Sequence, residues 1–246
     1  MRPLTVSELL LAWDRGRDRS STERVLLLLA AACPDEDADA LAALPIGCRD
    51  ARLLALRQWT FGERFTGLTR CPTCAERIEL RFNAADVRAG APTGSDREDE
   101  LAVEAAGYRV RFKLPDSRDV DALHGSADAV AARRDLLGRC LLGAEREGKA
   151  YPVKRLPASV LAAVVQRMGE IDPQADVHTT VTCPACAHRW QATFDIVSFF
   201  WSEIETWATR MLYDVHVLAS AYAWSEAEIL ALSPGRRQLY LAMVGA

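Results

Sequence analysis

Cys71-Pro-Thr-Cys74-Ala-Glu-Arg-Ile-Glu-Leu-Arg-Phe82 and, 112 positions later, Cys183-Pro-Ala-Cys186-Ala-His-Arg-Trp-Gln-Ala-Thr-Phe194 are the two stretches on which the fold turns. Each opens on a pair of cysteines spaced by two residues and runs into strict alternation: Ile78, Leu80 and Phe82 in the first, Trp190, Ala192 and Phe194 in the second. A period of two is that of a half-buried strand. Two thiolates at this spacing can grip one tetrahedral ion, and two such pairs complete a closed four-sulfur site. Cys71, Cys74, Cys183 and Cys186 are therefore the predicted ligands of a structural Zn²⁺, with two knuckles assembling a ribbon. Between Cys74 and Cys183 lie 108 residues, against about 15 to 20 in compact zinc motifs. The site must be split, with the residues between inserted into it. Ala75 and Ala187 stand where knuckles often place glycine.

A redox dithiol is the first alternative, but a thioredoxin-type pair should open a helix in a βαβ unit, and here strands follow. Two disulfides or plain buried cysteines remain as others. Four thiolates on one dication carry net −2, which the neighbouring Arg70, Arg77 and Arg189 would temper. His188 could substitute as a ligand, but four thiolates already close the shell, so it is read as lying beside the shell or facing solvent. Cys33, Cys48 and Cys140 sit among apolar, helical residues and read as small buried hydrophobes. A closed shell has no open position for water or substrate, so it should stabilise and not catalyse.

Around these stretches the first sixty residues read as helices. Thr5 with Glu8 and Ser20 with Glu23 fit the capping box, and Leu4 and Leu9 could staple the first helix. A third helix is expected from about Gly47 to Gln58, with Leu53, Leu54, Leu56 and Trp59 on one face. Residues 89–100 (AGAPTGSDREDE) read as a loop. Leu101–Ala105, a turn at Ala106-Gly107, and Tyr108, Val110, Phe112 and Leu114 read as a hairpin ended by Pro115. Helices are expected again from about Ser126 to Glu147 and from Ala158 to about Glu170. Beyond the second cysteine pair, Phe200, Ile204, Trp207, Met211, Val215, Leu218 and Tyr222 recur at steps of four and three as one apolar seam. Ser225 with Glu228, stapled by Trp224 and Ile229, and Ser233-Pro234 start two last helices.

The fold class expected is thus α+β, mostly helical, with a small antiparallel β region forming a split Cys₄ zinc ribbon and a C-terminal helical segment. The expected organisation is a helical region at 1–66, the first knuckle and strand at 67–88, an inserted hairpin and helices at 89–178, the second knuckle and strand at 179–195, and a helical region at 196–246.

Composition narrows the function classes. The chain has 246 residues, half of them hydrophobic and 26% charged, with a net charge of −4, as an ordinary folded protein would. All 30 basic residues except Lys113, Lys149 and Lys154 are arginine, but no basic run is long enough for duplex binding, and nucleic acid is not an expected partner. The longest apolar stretch, Val25–Cys33, is far below the roughly 20 residues of a membrane span, so no membrane partner and a cytoplasmic location are expected. No phosphate loop, nucleophile elbow or zinc-protease motif is present. Asp214 and His216 are two apart on a helix and do not face each other; Asp116, Asp119 and Asp121 read as capping and solvated residues. The expectation is a protein that is not an enzyme.

Asp214-Val-His-Val-Leu-Ala-Ser-Ala-Tyr-Ala-Trp-Ser-Glu-Ala-Glu-Ile-Leu230, followed by Arg236-Arg-Gln-Leu-Tyr240, resembles an ending found in the T-even-type baseplate hub assembly chaperone family of contractile-tailed phages and phage-like contractile injection systems. Leu44-Pro-Ile-Gly-Cys-Arg-Asp-Ala-Arg-Leu-Leu54 with Phe61-Gly62, and Arg111-Phe-Lys-Leu-Pro-Asp-Ser-Arg-Asp119, are similar to it as well. The paired cysteines resemble the zinc-knuckle-bearing branch. The resemblance implies a non-enzymatic role in assembling the baseplate hub or spike, with those subunits as partners and incorporation into the particle as one fate. The surface expected to meet them comprises Trp224, Ile229 and Tyr240 with Leu239 and Met243, rimmed by Arg236 and Arg237; the alternative is that it packs on the seam helix. The rival function is a zinc-ribbon adaptor in transcription or nucleic-acid binding.

Overall fold

The computed structural model describes residues 1–89, 101–123 and 128–245. In chain order the elements are α1 (Val6–Gly16), α2 (Ser21–Ala32), α3 (Ala38–Ala42), α4 (Ile46–Phe61), β1 (Arg64–Arg70) and β2 (Arg77–Asn83). There follow β3 (Leu101–Ala105), β4 (Tyr108–Phe112), α5 (Ser117–Asp121), α6 (Ala129–Cys140), β5 (Leu141–Arg146), β6 (Lys149–Tyr151) and α7 (Ala158–Ile171). Last come β7 (His178–Thr182), β8 (Arg189–Thr193), α8 (Ile196–Tyr222), α9 (Glu226–Leu230) and α10 (Pro234–Met243). The protein is α+β and mostly helical, with small antiparallel sheets. It divides into two compact units, Met1–Pro34 with Val197–Ala246, and Asp35–Ile196.

In the first unit the helix starts are those the hydroxyl–carboxylate spacing dictates: Thr5/Glu8, Ser20/Glu23 and Ser225/Glu228 each form a complete capping box. The end of α1 is satisfied by the Arg24 guanidinium, which donates to the carbonyls of Gly16 (2.9 Å) and Arg17 (2.8 Å) while lying 4.6 Å over the Trp201 ring. Gly16 permits this closeness, since a Cβ there would sit 2.3 Å from Trp201. Along α8, Phe200, Ile204, Met211, Val215 and Leu218 are buried as the seam predicts, with Trp207 and Tyr222 half-buried.

The C-terminal helices correct the expected partner surface. Ile229 is fully buried with Leu218 and Leu241, because the staple that starts α9 turns it inward. Arg237 is 4% exposed, its Nε 3.8 Å from the Asp214 carboxylate on α8, and Asp214 in turn is pushed upward in pKa by burial. Neither residue is available to a partner. Trp224 and Tyr240 are half-buried in an aromatic cluster with Tyr222, at 4.6 to 5.6 Å between ring centroids; Arg236, Leu239 and Met243 are exposed.

The second unit is built on an antiparallel sheet of order β3-β4-β5-β6. Tyr108, Val110, Phe112 and Ala144 pack from it against Val160, Val164 and Ile171 of α7. The Ala106-Gly107 turn, with φ 49° and 77°, is of the kind that suits a two-residue hairpin. The helix expected through Glu147 stops at Cys140. Leu141–Arg146 instead pair with β4, and Glu147-Gly148, φ 53° and 72°, turn the chain into β6. Local helical propensity yields here to the hydrogen-bonding edge of β4. Two smaller corrections concern α4 and the strand before the first cysteines. Trp59 is 49% exposed and leaves the buried face of Leu53, Leu54 and Leu56, and β1 begins at Arg64, where a helical region was expected. Residues 90–100 of the loop expected at 89–100, and residues 124–127 with the helix start expected at Ser126, lie outside the described residues.

Two of the motifs quoted above meet in this unit. Pro45 bridges Asp116, the Ile46 amide donates to the Pro115 carbonyl (3.0 Å), and buried Arg49, paired with Asp50 at 2.8 Å, reaches the Ser117 hydroxyl at 3.5 Å. Gly47 donates its amide to the buried Asp172 carboxylate at 2.8 Å. Asp116 and Asp119 form the capping box of α5, and Asp119 also receives Lys113 and Arg139. Burial pushes the Asp119 carboxyl up, yet bonds from Lys113, the Asp116 amide and Arg139 outweigh it and hold it below the usual carboxylate range.

Two outcomes are expected. Gly47→Ala should cost about 2–3 kcal/mol in urea unfolding, because the new Cβ would fall 1.8 Å from the Asp172 carboxylate and 2.9 Å from the Ala175 amide nitrogen. Asp119→Ala should cost about 1–2 kcal/mol at pH 7. With the folded pKa depressed, that contribution is present above the unfolded value of about 3.9 and drains away as pH falls through the folded one, so the deficit should narrow at pH 3.

Candidate metal centre

Each cysteine pair sits at the tip of a hairpin. The ladder of β1 and β2 closes with Arg70 opposite Arg77, and that of β7 and β8 with Thr182 opposite Arg189; the knuckles fill the turns beyond. The two tips share one hydrogen-bond pattern. The Cys71 amide donates to the Glu76 carbonyl and the Ala75 amide to the Cys71 carbonyl, both at 2.9 Å; the Cys183 amide donates to His188 (2.9 Å) and the Ala187 amide to Cys183 (3.0 Å). Ala75 and Ala187 both adopt the left-handed conformation, with φ 60° and 58°. These are the positions where glycine was expected, and the backbone takes glycine's conformation despite the alanine Cβ.

The four sulfurs lie within 4.8 Å of one another, and none of the four cysteines is in a disulfide. Cys71 approaches Cys186 at 3.6 Å and Cys74 approaches Cys183 at 3.6 Å. The contacts are reciprocal: the first cysteine of each knuckle meets the second of the other, so the hairpins are related by a local pseudo-two-fold. The same relation brings Phe82 and its counterpart Phe194 edge to face at 5.5 Å, with Phe65 against both at 5.2 and 5.9 Å. Arg57 caps this group, its guanidinium 3.7 Å over the Phe65 ring.

Cys71 and Cys183 are buried against Ile78, Leu80 and Trp190, whereas Cys74 and Cys186 are exposed. Burial resists ionisation of Cys71, but the Cys74 and Thr73 amides donate to its sulfur and bring the thiol down to about 6. The Glu76 amide likewise favours the Cys74 thiolate, yet the neighbouring sulfurs push that thiol up to about 12. Four sulfurs this close cannot all ionise without a cation between them. With metal–sulfur bonds of about 2.3 Å, a regular tetrahedron separates its sulfurs by about 3.8 Å. The donor set, the spacing and the amide bonds to sulfur all fit a tetrahedral dication such as Zn²⁺.

The surrounding residues fall as follows. The His188 ring stacks on Trp190 at 5.9 Å, with 14° between planes, and is not among the converging donors. Arg70, Arg77 and Arg189 are exposed at the strand ends that flank the knuckles. Cys33 and Cys140 are buried and Cys48 half-buried; burial pushes the Cys140 thiol up to about 11. The sequence reading passed over Phe65 and β1, although Phe65 stands as far before the first cysteine as the hairpin period requires, and over the pairing of Phe82 with Phe194.

Ala75→Gly and Ala187→Gly, which would weaken an ordinary loop, should each raise stability in thermal unfolding by about 0.5–1 kcal/mol, because glycine relieves the left-handed backbone. A loss of stability at both positions would contradict the strain assigned to these knuckles.

No curated protein and no solved structure matches this chain. Residues 1–201 match the family described as T4 bacteriophage base plate protein, a stretch that takes in α1 to α7, both hairpins of the cysteine centre and the motifs joined at Pro45 and Asp116. With four-fifths of its length in that match, the chain belongs to the T4 bacteriophage base plate protein family.

Proposed function

We propose that this protein assists assembly of the baseplate hub or spike of a phage-like contractile tail, acting through protein contacts and without catalysis, and that a Zn²⁺ held by Cys71, Cys74, Cys183 and Cys186 staples its second unit. The family match over residues 1–201 carries the baseplate reading. The zinc reading rests on the convergence of four sulfurs with two knuckle backbones of one geometry. A closed Cys₄ shell leaves no coordination position for a substrate, which supports a structural role for the ion. Among the described residues no helix is long and apolar enough to cross a membrane. The protein would work in the cytoplasm during assembly and pass into the particle or leave it.

The zinc belongs to the zinc-knuckle-bearing branch of the assembly family in this reading. Its work is to hold together cysteine pairs separated by 108 residues of chain, where closing the loop is entropically costly and a metal clip offsets that cost.

Metal analysis of protein purified without chelator should give one zinc per chain, and removal with a strong chelator should abolish the cooperative unfolding of the second unit. Cys71→Ser with Cys183→Ser should lose the metal; full retention would overturn the assignment. The role itself is tested by co-purifying the tagged protein from its native cells at moderate salt. Recovery of hub or spike subunits is the expected result, and recovery of polymerase or oligonucleotide in a salt-sensitive complex would instead favour the zinc-ribbon adaptor.

A further inference from the structure

The first unit carries a groove that the baseplate reading leaves unused. Its floor is the contact of α1 with α8, where Leu10, Ala208 and Met211 are buried and Trp13 and Leu230 pack against them. From this floor the two helices turn apolar side chains outward: Leu11 is 49% and Leu212 39% exposed. Ala227 and Leu230 of α9 close the far side, leaving a cleft of about 730 Å³. On α1 the lining positions Ser7, Leu10, Leu11 and Asp14 recur at helical spacing as one stripe, which Arg17 continues at the helix's C-terminal cap. Ten residues of rise make that stripe about 15 Å long, room for about three turns of a second helix.

The rim supplies the charge. Asp14 on one side and Glu226 on the other are both exposed, and neither has an ion-pair partner among the described residues. The cation in the wall, Arg17, is turned onto the Trp13 ring at 5.2 Å. The groove is therefore apolar at its base and acidic at its two lips.

We infer that this groove receives an amphipathic helix with leucine-like anchors on one face and lysine or arginine along its flanks, presented by another baseplate subunit. Anchors at steps of three and four would fill the space beside Leu11 and Leu212, and the flanking cations would meet Asp14 and Glu226. Only the source of the helix rests on the baseplate reading; recognition of its chemistry does not, so the two can fail separately.

The test uses the full chain and two defined probes: a fluorescent peptide of about 14 residues of leucine and lysine patterned as an amphipathic helix, and its leucine–glutamate counterpart. Anisotropy should show the leucine–lysine peptide binding one per chain, at least about tenfold more tightly than the other. Leu11→Glu or Leu212→Glu, each at an exposed position, should weaken it about tenfold, and Asp14→Lys with Glu226→Lys should reverse the preference. Glu145→Lys with Glu147→Lys changes the net charge equally, but at the end of β5 and in the turn that follows it, and should change nothing. Equal binding of both peptides, or an equal response to the control pair, would show general attraction to an acidic protein and overturn the inference. So would a chain that dimerises in sedimentation and becomes monomeric on Leu212→Glu, since a second copy would then be the occupant.

Discussion

Four sulfur atoms within 4.8 Å of one another impose the condition that the rest of the second unit obeys. They come in pairs from knuckles 112 positions apart, and four thiolates this close are electrostatically untenable unless protons or a cation neutralise them. Everything between Cys74 and Cys183 must therefore leave the centre and return to it. The sheet β3-β4-β5-β6, with α7 against it, is the body that this excursion builds. Its own core of Val110, Phe112, Val160 and Val164 is fully buried, so the insertion is a folded element and not a slack loop.

The centre and its surroundings reinforce each other through symmetry. The reciprocal sulfur contacts and the Phe82–Phe194 pair follow from one pseudo-two-fold relation, and each hairpin alone is too small to be stable. Joined at the tips by sulfur and at the base by aromatic rings, they form one structure from two marginal ones. Away from the centre, the Pro45–Asp116 bridge and the Gly47–Asp172 bond tie α4 to the segments before α5 and after α7. The second of these depends on an absent Cβ, which explains a glycine in the first turn of a 16-residue helix.

The four converging cysteines could be picked out from sequence because their pattern is local: two residues between thiols and a strand period after them. The capping boxes were legible for the same reason, since each is complete within four residues. Where the reading failed, the deciding partner lay elsewhere in the chain. Leu141–Arg146 have helical company in sequence but meet the edge of β4, and Ile229 and Arg237, plausible on a surface, meet Leu218 and Asp214 of α8.

The sequence by itself determined the chemistry of the centre, the helix starts and the apolar seam of α8, because sulfur valence, capping geometry and side-chain period act over a few residues. Tertiary structure alone decided that the knuckles share one centre with exchanged sulfur contacts, that the C-terminal aromatics fold back on α8, and that Leu11 and Leu212 flank an acidic-lipped groove. Those features are set by which surfaces remain after the cores have formed, and desolvation distributes that choice over the whole chain.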